Sequence, residues 1–241
     1  MARIFITGSA DGLGLLAAQA LIEKGHQVVL HARNEQRKSS VADKVKGAAN
    51  ILAADLSDIE ETQKLAEQVN ELGQFDAIIH NAGVYNTSAK QLLHVNVLAP
   101  YILTSSIRKP RRLIYLSSGM HLQGRLSSAA DISRLSYSDS KLYVLMLSMA
   151  ASRIWTDVYS NSVDPGWVPT KMGGKGAPDD LQEGYETQVW LAGSNDPKAL
   201  VSGRYFFHQQ QRRYNPEADD VAKQEKLLDY CKEITGVLFP R

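Results

Sequence analysis

The sequence predicts an α/β fold: one domain over residues 1–241, a doubly wound parallel sheet of about seven strands with helices on both faces. Three observations predict it. Short apolar runs alternate along the chain with longer segments of helical periodicity, the pattern of parallel strands joined by right-handed crossovers. Helical segments stop at glycines, such as Gly25 and Gly73. A glycine-rich turn stands between the first strand-like run and the first helix.

The elements follow in order. "RIFIT" (3–7) reads as a first buried strand and "LLAAQALIEKG" (15–25) as a helix. "QVVLHA" (27–32) is a second strand, after which Asn34 suits the cap of a helix through 35–46. "ANILAADL" (49–56) is a third strand with its exit loop, and "IEETQKLAEQVNELG" (59–73) a third helix. "FDAIIHNAG" (75–83) and "RLIYLSS" (112–118) give strands four and five, with a helix inside 87–109 closed by Pro110. "SDSKLYVLMLSMAASRI" (138–154) is a strong helix, with Ser138 and Asp139 suited to its start. "DVYSNSVDPG" (157–166) holds a sixth strand and "GRYFF" (203–207) a seventh. Residues 170–184, rich in Gly, Pro and charge, read as a mobile loop beside a substrate. Residues 208–241 read as a loop followed by a helix packed by Tyr214, Leu228 and Tyr230.

Composition removes several classes of function. The chain has 241 residues, 44% of them hydrophobic, and a net charge of +1. Neither nucleic acid nor an anionic membrane is called for as a partner. One cysteine, Cys231, forms no internal disulfide. The six histidines show no metal-ligand spacing, so no metal is expected. No signal-like or membrane-spanning run is present, and a reducing, cytoplasmic setting is the expectation.

"TGSADGLG" (7–14) places Gly8, Gly12 and Gly14 where a strand turns into a helix. Such a turn lets backbone approach a diphosphate, which the helix N-terminus then receives on free N–H groups. "YSDSK" (137–141) places Tyr137 and Lys141 one helical turn apart, at the carboxyl edge of the sheet where ligands of doubly wound folds bind. A free phenol, with a pKa near 10, is a poor base at neutral pH. An ammonium about 5 Å away would lower that pKa by about two at an effective dielectric near 20. The pair therefore suits proton exchange with a carbonyl or alcohol oxygen.

The Gly-x3-Gly-x-Gly spacing resembles the short-chain dehydrogenase/reductase family, a Rossmann-type group with T-G-x-x-x-G-x-G at this turn. Further matches follow in order: Asp55 and Leu56 ("DL"), Asn81, Ala82 and Gly83 ("NAG"), Asn96 in "HVNVLAP", "LSS" at 116–118, "YSDSK" and "DPGWVPT" at 164–170. The resemblance spans residues 1 to about 207. It implies a nicotinamide cofactor held by Gly8, Ser9, Asp11, Gly12, Leu13 and Gly14, with Asp55 and Leu56 flanking the adenine. Asn81, Ala82 and Gly83 would form the wall beside it, although Asn81 also suits a plain turn position. Ala32 stands where the family's NAD-binding members carry Asp, and Arg33 follows. A guanidinium there favours a 2′-phosphate, hence NADP(H), with Ser9 a minor additional partner; the alternative is that Arg33 is only a surface charge.

By the same resemblance, Tyr137 is the general acid/base and Lys141 also binds the cofactor ribose. Ser118 orients the substrate oxygen, with Ser117 the competing choice, and Asn96 supports a water linking Lys141 to solvent. Pro165, Gly166, Val168 and Thr170 would lie against the nicotinamide. Met120, Trp167 and Met172 suggest an apolar substrate pocket. The insert at 119–136 resembles the retinol-dehydrogenase-like branch and would line the substrate entrance, with His121 at its rim. Residues 83–110 are shorter than usual, which leaves homo-oligomerisation open.

The reading is an NADP(H)-dependent oxidoreductase acting on a small-molecule carbonyl or alcohol. The alternative class is a non-catalytic NADP-binding redox sensor. A nucleotide-sugar epimerase or dehydratase would need more chain after the last strand.

Overall fold

The computed structural model describes residues 1–126 and 134–241; the part of the predicted entrance insert at 127–133 lies outside them. Among the described residues, β1 (Arg3–Ile6), β2 (Gln27–Ala32), β3 (Asn50–Ala53), β4 (Ala77–His80), β5 (Arg112–Leu116), β6 (Tyr159–Asp164), β7 (Arg204–Phe207) and β8 (Gln210–Gln211) form one sheet in the order β3-β2-β1-β4-β5-β6-β7-β8. All pairs are parallel except β7 with β8. The two-residue β8 is an exposed edge that the sequence pattern does not announce.

The helices are α1 (Gly12–Glu23), α2 (Glu35–Ala42), α3 (Ile59–Glu71), α4 (Ala89–Leu93), α5 (Ala99–Ser106), α6 (Tyr137–Ile154), α7 (Leu181–Gly193) and α8 (Val221–Thr235). Alternation along the strands sorts them into two layers. Ile4 and Ile6 of β1 face one core with α1 and α7, whereas Phe5 faces the other with α3, α5 and α6. Tyr214, Leu228 and Tyr230 belong to the second core, where they pack the C-terminal helix as expected.

Two boundaries that differ from the sequence reading bear on the site. The 170–184 segment is loop only as far as Asp180, whose side chain accepts from the N–H groups of Gln182 and Glu183 and caps α7. Gly184 lies inside that helix because its Cα meets the loop after β6: an added Cβ would sit 2.7 Å from Val168 Cγ1. The start of α6 is set by Ser136, not Ser138. Ser136 Oγ accepts from Asp139 N at 3.1 Å, and Asp139 Oδ2 accepts from Ser136 N at 3.0 Å, a complete capping box. Tyr137 is therefore the first residue of the helix.

The sheet places the site. Its connections diverge from β1, toward β2 on one side and β4 on the other, and the crevice at those carboxyl ends is where a doubly wound sheet takes a ligand.

Candidate active site

A cleft of about 430 Å³ opens at this edge. Its floor is the turn from β1 to α1. Gly8 has φ +63°, and an added Cβ would lie 2.8 Å from Ala82 Cα. A Cβ on Gly14 would meet Asn81 Nδ2 and lie 2.6 Å from Gly8 O. The turn thus has no room for side chains below it, and its backbone faces the cleft. Asn81 holds it there, donating from Nδ2 to Thr7 O (3.0 Å) and Gly8 O (3.1 Å).

His31, which the sequence reading did not single out, pins the same turn. Its Nδ1 accepts from Gly8 N at 3.0 Å, so Nε2 carries the proton and donates to Ala54 O at 2.9 Å. Burial pushes its pKa down to about 4. Ser9 does not reach the cleft. It is fully buried, donates to Ile6 O and accepts from His31 N, so it has no capacity left for a phosphate.

Arg33 lies over the cleft and pairs with Asp55 at 3.0 Å. Arg37, in the first turn of α2, and Lys171 add two further cations that the sequence reading missed. Both approach Asp11: Arg37 at 3.6 Å, and Lys171 in direct contact with Oδ2. Hydrogen bonding from Lys171 is the main cause holding the Asp11 carboxyl below its usual pKa. Leu56, Ala82, Gly83, Leu13, Gly12, Pro165, Thr170 and Met172 also line it. The donors, cations and cleared backbone fit a dinucleotide phosphate chain.

The other end of the cleft gathers the serine strand and the tyrosine helix. Ser117 lines the cleft, but it is buried and its hydroxyl donates to Lys141 O at 2.8 Å, whereas Ser118 is only half-buried. Ser118 stands close enough to the Tyr137 hydroxyl to oppose the rise of its pKa, and its Oγ accepts from Met120 N at 3.3 Å. Lys141 is buried and donates from Nζ to Leu116 O at 2.8 Å, with Nζ 5.5 Å from the Tyr137 ring centre. Asn96 stands on a π-helical turn, His94–Leu98, between α4 and α5. Its Oδ1 accepts from Val84 N (2.8 Å), and its Nδ2 donates to Val84 O and Ser140 Oγ (3.0 Å each). Its side chain therefore fixes the segment after β4 and touches α6 one residue before Lys141.

The electrostatics differ from expectation. Burial pushes the Tyr137 phenol up to about 12, with Ser118 opposing and Asp164 reinforcing the rise. The same desolvation pulls Lys141 down to about 8, opposed by Asp164. The expected lowering of the phenol by Lys141 is not met: the ammonium bonds a carbonyl, and loss of water dominates both groups.

Asp164, at the end of β6, is the carboxylate that sequence reasoning missed. It accepts from Tyr205 OH (3.1 Å) and Gly166 N (3.0 Å). Tyr85, half-exposed, sets its ring edge against Tyr137 at 4.8 Å.

Among the residues expected at the substrate, Met120, Trp167 and Met172 are exposed, and Met172 lines the cleft. Trp167 is tied back by Nε1 to Gly173 O at 2.8 Å, and its N–H donates to Asp179 Oδ2 at 2.6 Å. Val168 is buried and Gly166 turns with φ +80°. His121 is not at a rim: it is fully buried, held between Ser118 O and Asn215.

The family model described as short chain dehydrogenase matches residues 2–180. The chain belongs to the short-chain dehydrogenase family. Its relatives include an uncharacterized oxidoreductase of Emericella nidulans, 46% identical over 100% of this chain and 99% of that protein. A short-chain dehydrogenase of Penicillium rubens, named chyC, is 41% identical with both chains covered in full. Mouse retinol dehydrogenase 14 is 25% identical over 98% of this chain and 86% of its own, in line with the branch resemblance. Among solved structures, a protein from Mycobacterium paratuberculosis superposes with a TM-score of 0.82 at 22% identity, covering 100% of this chain and 96% of that one. Membership makes this short-chain dehydrogenase an oxidoreductase of the nicotinamide-using kind.

Proposed function

We propose that this short-chain dehydrogenase is an NADP(H)-dependent carbonyl reductase, reversible to alcohol oxidation, acting on a small or medium apolar substrate. The observation that carries it is the Tyr137 phenol, with Lys141 Nζ 5.5 Å from its ring and Ser118 beside it, at the mouth of a cleft floored by the glycine turn. The cofactor, when bound, supplies or accepts the hydride.

The chain's own residues do the rest. The α1 N-terminus and the glycine turn receive the diphosphate. Lys141, at the far end of the cleft, binds the ribose hydroxyls. Arg33 beside Asp55 and Arg37 beside Asp11 line the same cleft, and a 2′-phosphate there would draw Arg33 away from its carboxylate partner. Ser118 donates to the substrate oxygen and orients it. Tyr137, protonated throughout the neutral range, gives its proton to that oxygen as negative charge develops there. Exposed Met120, Trp167 and Met172 supply apolar contacts beyond the reacting carbon.

The test is NADPH oxidation at 340 nm over a panel of aldehydes, ketones and quinones. Tyr137→Phe should cut turnover by about 10²–10⁴ and leave NADPH binding intact. Arg33→Ser should weaken NADPH by about tenfold or more and leave NADH little changed. Absence of turnover with every substrate class, or full activity in Tyr137→Phe, overturns the proposal.

A further inference from the structure

The Ser118 turn is held from behind by a part of the chain almost a hundred residues later. His121 Nε2 receives the backbone N–H of Asn215 at 3.2 Å. A backbone N–H can only donate, so Nε2 must be the unprotonated nitrogen and Nδ1 must carry the proton. That Nδ1–H donates to Ser118 O at 2.6 Å, and the His121 backbone N–H donates to the same oxygen at 3.0 Å. Both lone pairs of the Ser118 carbonyl are thereby engaged.

Asn215 closes the arrangement. Its Nδ2 donates to Gly124 O (3.1 Å) and His121 O (3.4 Å), at the end of the 3-10 turn Gly119–Gln123. Gly124 in turn lies against the first turn of α6: an added Cβ would sit 2.5 Å from Ser138 O and 2.8 Å from Leu142 Cβ. The turn that bears Ser118 is thus pressed onto the helix that begins with Tyr137. The imidazole is fully buried, stacked at a tilt on Tyr205 at 4.6 Å, and Tyr205 OH donates to Asp164.

We infer that His121, locked as the neutral Nδ1–H tautomer by Asn215, is a positioning residue that couples the C-terminal segment to the placement of Ser118 against Tyr137. The inference rests on the reading of Ser118 as the hydroxyl that orients the substrate. Its consequence is that the segment around Asn215 contributes to turnover without touching substrate or cofactor.

Two measurements test it. In the first, ¹⁵N NMR of the histidine-labelled wild-type protein at neutral pH should show an imidazole with protonated Nδ1 and bare Nε2 in addition to the signal of His94, whose Nδ1 also donates to a carbonyl, Ser57 O at 2.7 Å. The resonance additional to that of His94 should vanish in His121→Ala. An Nε2–H tautomer or an imidazolium at this position overturns the inference, whatever Ser118 does.

The second is kinetic. His121→Ala should lower kcat by about 10- to 100-fold, the scale of a small misplacement of a reacting group, with NADPH affinity unchanged. His121→Asn, whose amide nitrogen stands near the place of Nδ1, should recover most of the loss. Asn215→Ala, which keeps the backbone donor and drops the two Nδ2 bonds together with the Oδ1 cap on Glu217 N at 3.0 Å, should show an intermediate loss and serves if His121→Ala fails to fold. Unchanged kcat in both His121→Ala and Asn215→Ala, beside an inactive Ser118→Ala, overturns the positioning role alone. Full activity in Ser118→Ala overturns the reading of Ser118 and the inference with it.

Discussion

Lys141→Met should make the cofactor-free protein more stable at neutral pH while abolishing activity. Lys141 is buried, and its pKa falls from 10.5 to about 8. That difference means the charge costs about 3 kcal/mol more in the folded chain than in the unfolded one. The sign follows from a lowered pKa on a base. Below pH 8 both states carry the charge and the cost is fully present. Between about pH 8 and 10.5 the folded lysine has lost its proton and the unfolded one still holds it, so stability rises with pH. Methionine removes the charge and keeps most of the volume, but leaves Leu116 O without its donor at 2.8 Å, a loss of about 1–2 kcal/mol. The net gain at pH 7 is about 1–2 kcal/mol, or about 2–8 °C in Tm for a chain of this size. Thermal and urea melts of both cofactor-free proteins from pH 7 to 10 measure it. The gap should be largest at pH 7 and shrink as the pH passes 8. A variant that melts at or below wild type at pH 7, or a gap that does not change up to pH 10, refutes the burial argument.

Two other expectations follow from the same geometry. Gly14→Ala should displace Asn81 from its two carbonyl partners and crowd Gly8 O, destabilising the fold by about 2–4 kcal/mol and weakening NADPH by about tenfold or more. Nucleotide fluorescence titration reads the affinity, and wild-type binding would mean the close approach is not needed. Asp164→Asn removes a charge that raises the Tyr137 pKa, so the rising limb of alcohol oxidation, which needs the phenolate, should move about one pH unit toward acid. A limb that stays in place or moves alkaline would show that Asp164 does not act on the phenol.

Local signals were legible where local chemistry decides. The β2 limits, the Asn34 cap and the glycine turn stand as the sequence pattern places them. Tyr137 and Lys141 share a face because helix spacing requires it. What was not legible depended on contacts far along the chain. His121, in a polar insert, suggested an exposed rim; Asn215, outside any motif, buries it. Ser9 looked available until His31 and Ile6 claimed its hydroxyl. Helix α7 was hidden because Gly184 and its charged neighbours read as loop, whereas the glycine is there to admit Val168. The spacing of Tyr137 and Lys141 fixed their separation but said nothing of the water both would lose.

The π-helical turn at His94–Leu98 carries a cost in backbone geometry, since its bonds are poorer than those of an α-helix. It holds one residue more than an α-turn would. Deleting that residue would regularise the helix without turning α5, because the wider π-turn covers with five residues about the angle that four α-helical residues cover at about 100° each. Ile102 and Leu103 would keep their places in the core they share with α3. The irregularity is therefore a local device: what it governs is the stance of Asn96, whose side chain reaches Val84 and Ser140. Shortening the turn by one residue should leave the layers packed and disturb those bonds alone.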